Sequence, residues 1–156
     1  MTDSTEYDPH RRARLTAHVM AATGIDEALI RNVVHRFYDR IRGDAVVGPI
    51  FGTRITDWDL HLARMCAFWS SVVLMTSRYQ GQPMQKHLPL PVDARHFDHW
   101  LALWEESVRA VCPSAAVGHF LEPARRIAAS LELGIAGARG QLVAKGQRLS
   151  PADGRA

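Results

Sequence analysis

The chain has 156 residues, of which 47% are hydrophobic and 22% are charged. This length predicts one domain with a sizeable core, and the composition argues against a fibrous or wholly disordered protein. The formal net charge is +3, but residues 139–156 hold four basic side chains and one acidic one, so residues 1–138 are neutral overall. We therefore expect no nucleic-acid partner, because nucleic-acid binding requires a basic surface on the fold.

Neither a membrane segment nor a secretory signal is predicted. No uninterrupted apolar run approaches the roughly 18 residues of a membrane span, and the chain opens with polar and acidic residues. We expect a cytoplasmic protein with no membrane contact. The two cysteines, Cys66 and Cys112, are too few for a disulfide framework or a thiolate metal site, and we expect both to be small buried residues.

The chain begins with a polar and charged stretch. Residues 1–22 predict a loose N-terminal arm with partial helix, ahead of a domain that spans residues 23–138. The short basic run from His10 to Arg14 is typical of a solvated face rather than of a contact with nucleic acid or lipid.

The first two predicted helices carry regular apolar stripes. A helix from Ile25 to Ile41 is predicted because apolar residues recur there every three or four positions. Gly43, Gly48 and Pro49 are expected to end it. A second helix is predicted over residues 58–74, with Thr56 or Asp57 as its cap.

The helical period of apolar residues is interrupted over residues 76–92 and then resumes. Gly81 and three prolines within residues 76–92 leave room for little more than one helical turn, around Met84 to Leu88. Further helices are predicted over residues 92–111 and 114–136, followed by a disordered basic tail over residues 139–156. No window shows the alternation of a strand, so the predicted fold is all-α.

His87 is the most informative residue of the broken segment. It follows one short turn and precedes Pro89 and Pro91, so its position is set by the chain. An axial ligand of a haem iron needs such a fixed position, with the opposite side of the iron left open. A single histidine beside prolines is more often an ordinary loop residue, so both interpretations stay open on this pattern alone.

Three polar residues lie on or beside otherwise apolar helix faces: Tyr38, His61 and Trp100. A buried phenol or indole needs a partner for its hydrogen-bond donor. Each donor could meet a backbone carbonyl, or the three could face one ligand. Because they belong to three different predicted helices, a shared cavity requires a particular fold.

Several short segments follow one another in a specific order. They are Phe37-Tyr38-Asp39-Arg40-Ile41-Arg42, Gly48-Pro49-Ile50-Phe51, Trp58 with His61, Phe68-Trp69, Tyr79-Gln80-Gly81-Gln82-Pro83 leading to His87, and His96-Phe97-Asp98-His99-Trp100-Leu101. In this order and spacing the chain resembles a truncated haemoglobin of the third of the three usual groups, over about residues 25–135. The resemblance implies two helix pairs, packed two over two, around a haem.

The resemblance also implies roles for individual residues. His87 stands at the position of the proximal iron ligand, Tyr38 and Trp100 at those of the distal donors, and His61 at a distal position that can act as a gate. The remaining matches concern haem contacts, and Arg78, Tyr79 and Lys86 enter by charge and neighbourhood as partners of the haem propionates. The implied haem contacts are Phe51, Met65, His96, Tyr79, Lys86 and Arg78.

The implied cofactor is haem b, with a five-coordinate or weakly six-coordinate iron that binds O2, NO and CO. Two distal donors would hold oxygen tightly, which suits oxidation of nitric oxide or activation of peroxide better than oxygen storage. An activity like that of a nitric oxide dioxygenase or a peroxidase is therefore expected. An unidentified reductase is the expected protein partner, and the chain is expected to be a monomer or a weak dimer.

Two other classes of protein compete with this interpretation. One is a helical interaction or regulatory domain without a cofactor. The other is a non-haem metal or hydrolytic protein built on His96 and His99, or on Cys66 with His61. Cys66 and His61 are five positions apart, which separates them by about 140° around one helix and disfavours a nucleophile–base pair.

Overall fold

A computed structural model describes residues 8–141 and 147–151. In this part of the chain the regular structure is entirely helical, which confirms the predicted all-α class. The helices, in chain order, are α1 (Pro9–Thr23), α2 (Glu27–Gly43), α3 (Gly48–Gly52), α4 (Trp58–Leu74), α5 (Pro83–His87), α6 (Ala94–Val111) and α7 (Ser114–Ala138).

Aspartate caps set the start of three of the four long core helices. Asp26, Asp57 and Asp93 each accept a hydrogen bond from a backbone N–H in the first turn of α2, α4 and α6. Such caps satisfy amide groups that have no partner within the helix. The choice left open between Thr56 and Asp57 is thus decided in favour of Asp57.

The core forms where α2 packs against both α4 and α6, while α7 packs along α6. The two pairs, α2 with α4 and α6 with α7, give the predicted two-over-two arrangement. Trp104 lies at its centre, with 1% of its surface exposed. Its ring stacks on Trp69 at 4.4 Å between centroids, and its Nε1 donates to the carbonyl of Phe120 at 3.0 Å.

The predicted N-terminal arm, expected to be partly helical, forms one continuous helix, α1, over the described residues 9–23, so the continuity of the helix was missed. Asp8 caps its first turn, and Gly24 ends it in the left-handed conformation at φ 74°. The hydroxyl of Thr16 donates to the carbonyl of Leu74 at the end of α4. This tertiary contact holds a helix whose sequence is too polar to predict burial. The first seven residues of the predicted arm lie outside the described residues.

The short helix α3 was also missed, because Gly48 and Pro49 predict only the end of the preceding helix. Asp44 accepts hydrogen bonds from the N–H groups of Val46 and Val47 and leads the chain into α3. At Gly48 a Cβ atom would lie 2.9 Å from the carbonyl oxygen of Ile41. Only glycine permits this close return of the chain against α2.

The predicted disordered tail is wrong for residues 147–151, which the structure places against α6 and α7. Leu149 is 3% exposed, and Arg148 forms ion pairs with Asp98 and Glu132. A local composition rule cannot anticipate partners that lie 50 and 16 residues away along the chain. The remaining predicted tail residues, 142–146 and 152–156, lie outside the described part.

No helix in the described ranges is both long and apolar enough to cross a membrane.

Replacement of Trp104 by alanine is expected to lower the free energy of unfolding by about 3–5 kcal/mol, because it leaves a cavity at the centre of the core. Urea denaturation measures this loss. Leu133→Ala is the matched control, since Leu133 is 62% exposed and its loss is expected to stay within about 0.5 kcal/mol. Equal losses in the two variants would contradict the assignment of Trp104 to the core.

Candidate functional site

A cleft of about 530 Å³ opens between α2, α3, α4 and α5. This volume lies in the range of roughly 300–1,000 Å³ that is typical of small-molecule and cofactor sites. Seven of the ten predicted site residues line it. These are Tyr38, Phe51, His61, Met65, Tyr79, Lys86 and His87.

A smaller apolar cavity of about 60 Å³ adjoins the cleft. Four residues line both spaces, namely Ile50, Phe51, His87 and Leu90. Two further predicted residues, His96 and Trp100, line this inner cavity. The structure therefore brings nine of the ten predicted residues to the cleft or to the cavity that adjoins it.

His87 ends the short helix α5, which lies directly on α7. At Gly134 of α7 a Cβ atom would collide with the sulfur of Met84. The Nδ1 atom of His87 lies 2.5 Å from the carbonyl oxygen of Pro83. Because a carbonyl can only accept, Nδ1 donates the hydrogen. In the neutral ring Nε2 then carries the lone pair, as a metal ligand requires.

Tyr38 of α2 and His61 of α4 meet at the wall of the cleft. Tyr38 is 6% exposed, and its ring stands perpendicular to that of His61, at 4.9 Å between centroids. The Nε2 atom of His61 is buried and has no hydrogen-bond partner among the residues that the structure describes. A buried polar atom without a partner is costly and marks a place where a bound group would supply one.

The surroundings keep both side chains uncharged. Burial raises the pKa of the Tyr38 phenol, so it remains a neutral donor. Burial also lowers the pKa of His61, as do the positive charges of Arg64 and Lys86 and the neighbouring His87. The floor of the cleft is therefore polar but neutral.

Trp100 is positioned by aromatic packing. Its ring lies parallel to that of Trp104, within 7° and at 6.5 Å, and edge-on to Phe37 at 5.7 Å. Its side chain lines the inner cavity rather than the larger cleft. Tyr38, His61 and Trp100 thus line two adjoining cavities from three different helices.

His96 has a structural function in addition to its place at the cavity. Its Nδ1 accepts a hydrogen bond from the N–H of Asp93 at 3.0 Å, and the two residues form a capping box at the start of α6. The hydrogen bond from Arg95 lowers the pKa of the Asp93 carboxyl to about 2. His96 therefore touches the cavity from a position that the helix cap determines.

Arg78 is the predicted site residue that the structure does not bring to the cleft. Its guanidinium lies 3.6 Å from Glu27, and it lines a separate surface cavity beside Cys66. Arg54 and Arg64 lie at the cleft instead. Arg64 was detectable from the sequence, because it is three positions after His61 on the same helix face. Arg54 lies between α3 and α4, and only the fold reveals its position.

Comparisons with known proteins identify the family of this chain. The family model described as "Bacterial-like globin" matches residues 19–131. This chain belongs to the bacterial-like globin family. The chain is 34% identical to the group 3 truncated hemoglobin ctb of Campylobacter jejuni, over 69% of this chain and 89% of that protein.

Two further matches are also truncated haemoglobins. A crystal structure of a group III truncated hemoglobin from Campylobacter jejuni aligns with a TM-score of 0.64 and 35% identity, over 69% of this chain and 88% of the other. The group 2 truncated hemoglobin YjbI of Bacillus subtilis is 24% identical, over 62% of this chain and 75% of that protein. Membership of the truncated haemoglobins implies a haem cofactor and the binding of diatomic gases.

The residues of the site suit a haem. His87 offers an unprotonated Nε2 atom, and the shared cavity wall of Ile50, Phe51 and Leu90 is apolar. A planar apolar ring with an iron centre requires this combination of one nitrogen ligand and hydrophobic walls. The unpartnered Nε2 of His61 is a further sign that a bound group completes the cleft.

The competing metal site has no support in residues 8–141 and 147–151, where no group of three or more His, Cys, Asp or Glu is placed to hold a metal ion. The Nε2 atom of His99 lies 2.7 Å from the carboxylate of Asp44. Cys66 lines the separate surface cavity and not the cleft with His61.

Removal of the positive charge in Arg64→Gln is expected to raise the pKa of His61, because the cation disfavours protonation of the nearby imidazole. An NMR titration of protein without added haem measures the change. Arg11→Gln, on α1, is the matched control and is expected to leave the titration of His61 unchanged. An equal titration curve in the two variants would contradict the proximity of Arg64 to His61.

Proposed function

We propose that this truncated haemoglobin carries haem b and binds O2, NO and CO for chemistry on the ligand, such as detoxification of nitric oxide or peroxide, rather than for oxygen storage. The observation that carries the proposal is that one cleft is lined by His87 together with Tyr38 and His61. The hydrogen bond from Nδ1 of His87 to Pro83 leaves the lone pair on Nε2 in the neutral ring. Tyr38 is buried, and so is the unpartnered Nε2 atom of His61.

His87 is the proposed axial ligand, and its hydrogen bond to Pro83 fixes the ring tautomer. Phe51, Met65 and Leu90 are proposed to cover the faces of the haem. The cations nearest the cleft are proposed partners of its propionates, since exposed positive side chains favour carboxylates. They are Lys86, as predicted, with Arg54 and Arg64 in place of the predicted Arg78. His96 and Tyr79 are proposed to supply further walls.

When bound, the haem supplies an iron that holds a diatomic gas and exchanges electrons. The phenol of Tyr38 and the indole of Trp100 are proposed to donate hydrogen bonds to that gas. Each bond to a partly charged acceptor is worth about 1.5–3 kcal/mol, or roughly 10- to 150-fold in release rate. Neutral His61 is proposed to gate access to the same space. Two donors slow release, which favours reaction over delivery.

Continued turnover needs an electron donor, and we propose an as yet unidentified reductase. The expectations of a monomer or weak dimer and of a cytoplasmic location remain predictions.

The wild-type protein is expected to bind haemin and to show an intense absorption band that shifts on reduction and on addition of carbon monoxide. His87→Ala is expected to lose the haem or hold it weakly, because the iron loses its protein ligand. His10→Ala, an exposed position on α1, is the matched control. A wild-type protein that takes up no haemin would overturn the proposed function. Normal haem retention in His87→Ala would move the axial ligand to another histidine.

Tyr38→Phe is expected to speed oxygen release or autoxidation by about tenfold or more, because one proposed hydrogen bond to the ligand is lost. Stopped-flow absorption measures both rates. Ser107→Ala is the matched control, since it removes another buried hydroxyl, which donates to Leu103 within α6 and away from the cleft. Rates that equal those of the control would contradict the assignment of Tyr38 as a ligand donor.

A further inference from the structure

The segment of residues 148–150, here called the C-terminal clasp, returns to the fold after the end of α7. The guanidinium of Arg148 lies 2.8 Å from Asp98 on α6 and 2.8 Å from Glu132 on α7. The N–H of Leu149 donates to Glu132 at 2.9 Å. The whole clasp and Glu132 lie beyond residues 19–131, the part that the globin family model matches.

Leu149 anchors the clasp in the hydrophobic cluster below the haem cleft. Its side chain is 3% exposed and packs in one cluster with Val92, Phe97 and Ile135. Its carbonyl accepts a hydrogen bond from the N–H of Ala94, the first residue of α6, at 3.1 Å. The clasp thus closes over the junction between α6 and the loop that precedes it.

Arg139 joins the clasp to that loop, which covers residues 88–93 and follows His87. Its guanidinium donates to the carbonyl of Leu90 at 2.7 Å and to the carbonyl of Ser150 at 3.4 Å. The N–H of Leu90 donates in turn to the carbonyl of His87 at 3.0 Å. One arginine therefore connects the C-terminal clasp to the backbone of His87 through a single residue.

Few hydrogen bonds hold the conformation of this loop. It contains Pro89 and Pro91, which carry no N–H and remove two possible hydrogen bonds. The carbonyl of Leu90 accepts from both Arg139 and Val92, so it is the fixed point of the loop. The side chains of Leu90 and Val92 also line the inner cavity beside His87.

We propose that the C-terminal clasp and Arg139 are positioning residues that hold the loop after His87, and thereby set the orientation of the His87 imidazole and the retention of haem. The inference that the clasp and Arg139 hold the loop rests on contacts within the chain. The effect on haem rests on the proposed function, in which His87 is the axial ligand. Small displacements of such a ligand alter both its bond to iron and the strength with which the group is held.

The test compares Arg139→Met with Arg126→Met. Arg126 is an exposed arginine of α7, the helix that ends immediately before Arg139. Hydrogen exchange of the Leu90 and Val92 amides reports the loop in protein without haem. Transfer of haem to an excess of another apoglobin reports retention, and the iron–histidine stretching band in resonance Raman spectra reports the His87 bond. Arg139→Lys keeps a charged donor and serves as the conservative variant.

In Arg139→Met we expect faster hydrogen exchange at both amides and a shifted or broadened iron–histidine stretching band. We also expect haem loss to accelerate by about tenfold, which is the scale of one hydrogen bond from a charged donor. Arg139→Lys is expected to restore part of each change, and Arg126→Met to match the wild type. A lower melting temperature with unchanged haem loss and an unchanged band would overturn the proposal, because it would show stability alone. A wild-type protein that binds no haemin would overturn the proposed function, and unchanged amide exchange would overturn the clasp.

Discussion

The packing around Phe37 is the constraint on which the site depends. This ring is 1% exposed and stands edge-on to Tyr38 at 5.0 Å, to Trp100 at 5.7 Å and to Trp104 at 5.0 Å. Edge-to-face contacts at such distances restrict ring orientation. The same side chain that joins α2 to α6 therefore fixes both proposed hydrogen-bond donors, so the core and the cleft cannot be repacked independently.

Charge and burial divide the cleft into two zones. Its cations are exposed, whereas burial disfavours the charged forms of Tyr38 and His61. A neutral phenol can donate to a ligand of partial negative charge, and a neutral imidazole can move without carrying a charge into an apolar space. The hydrogen bond of His87 to Pro83 leaves the lone pair of the neutral ring on Nε2. This contrast between exposed cations and buried neutral groups suits a bound molecule that has carboxylates at its edge and a reactive centre.

The outcomes for individual elements show where sequence reasoning succeeds. The bounds of α4 were predicted to the residue, because a strong cap at Asp57 coincides with a continuous helical period. The short turn at His87 was predicted from the prolines that enclose it. By contrast, the full extent of α1 and the whole of α3 were not predicted. The helix α1 is held by a contact to Leu74, and α3 by a return of the chain over Ile41. The structure also places Arg78 away from the cleft, beside Glu27. Charge alone does not say which acidic residue lies nearest to an arginine.

By itself the sequence determined the all-α class, the four long helices of the core and the polar candidate residues of the site. It could do so because the apolar period, the helix caps and the prolines are local signals, which act on residues close together in the chain. Only the tertiary structure decided that Tyr38, His61 and Trp100 line two adjoining cavities that share His87. It also decided that Arg54 and Arg64 lie at the cleft while Arg78 does not, and that Leu149 is buried. These facts depend on contacts between residues far apart in the chain, which local patterns do not encode.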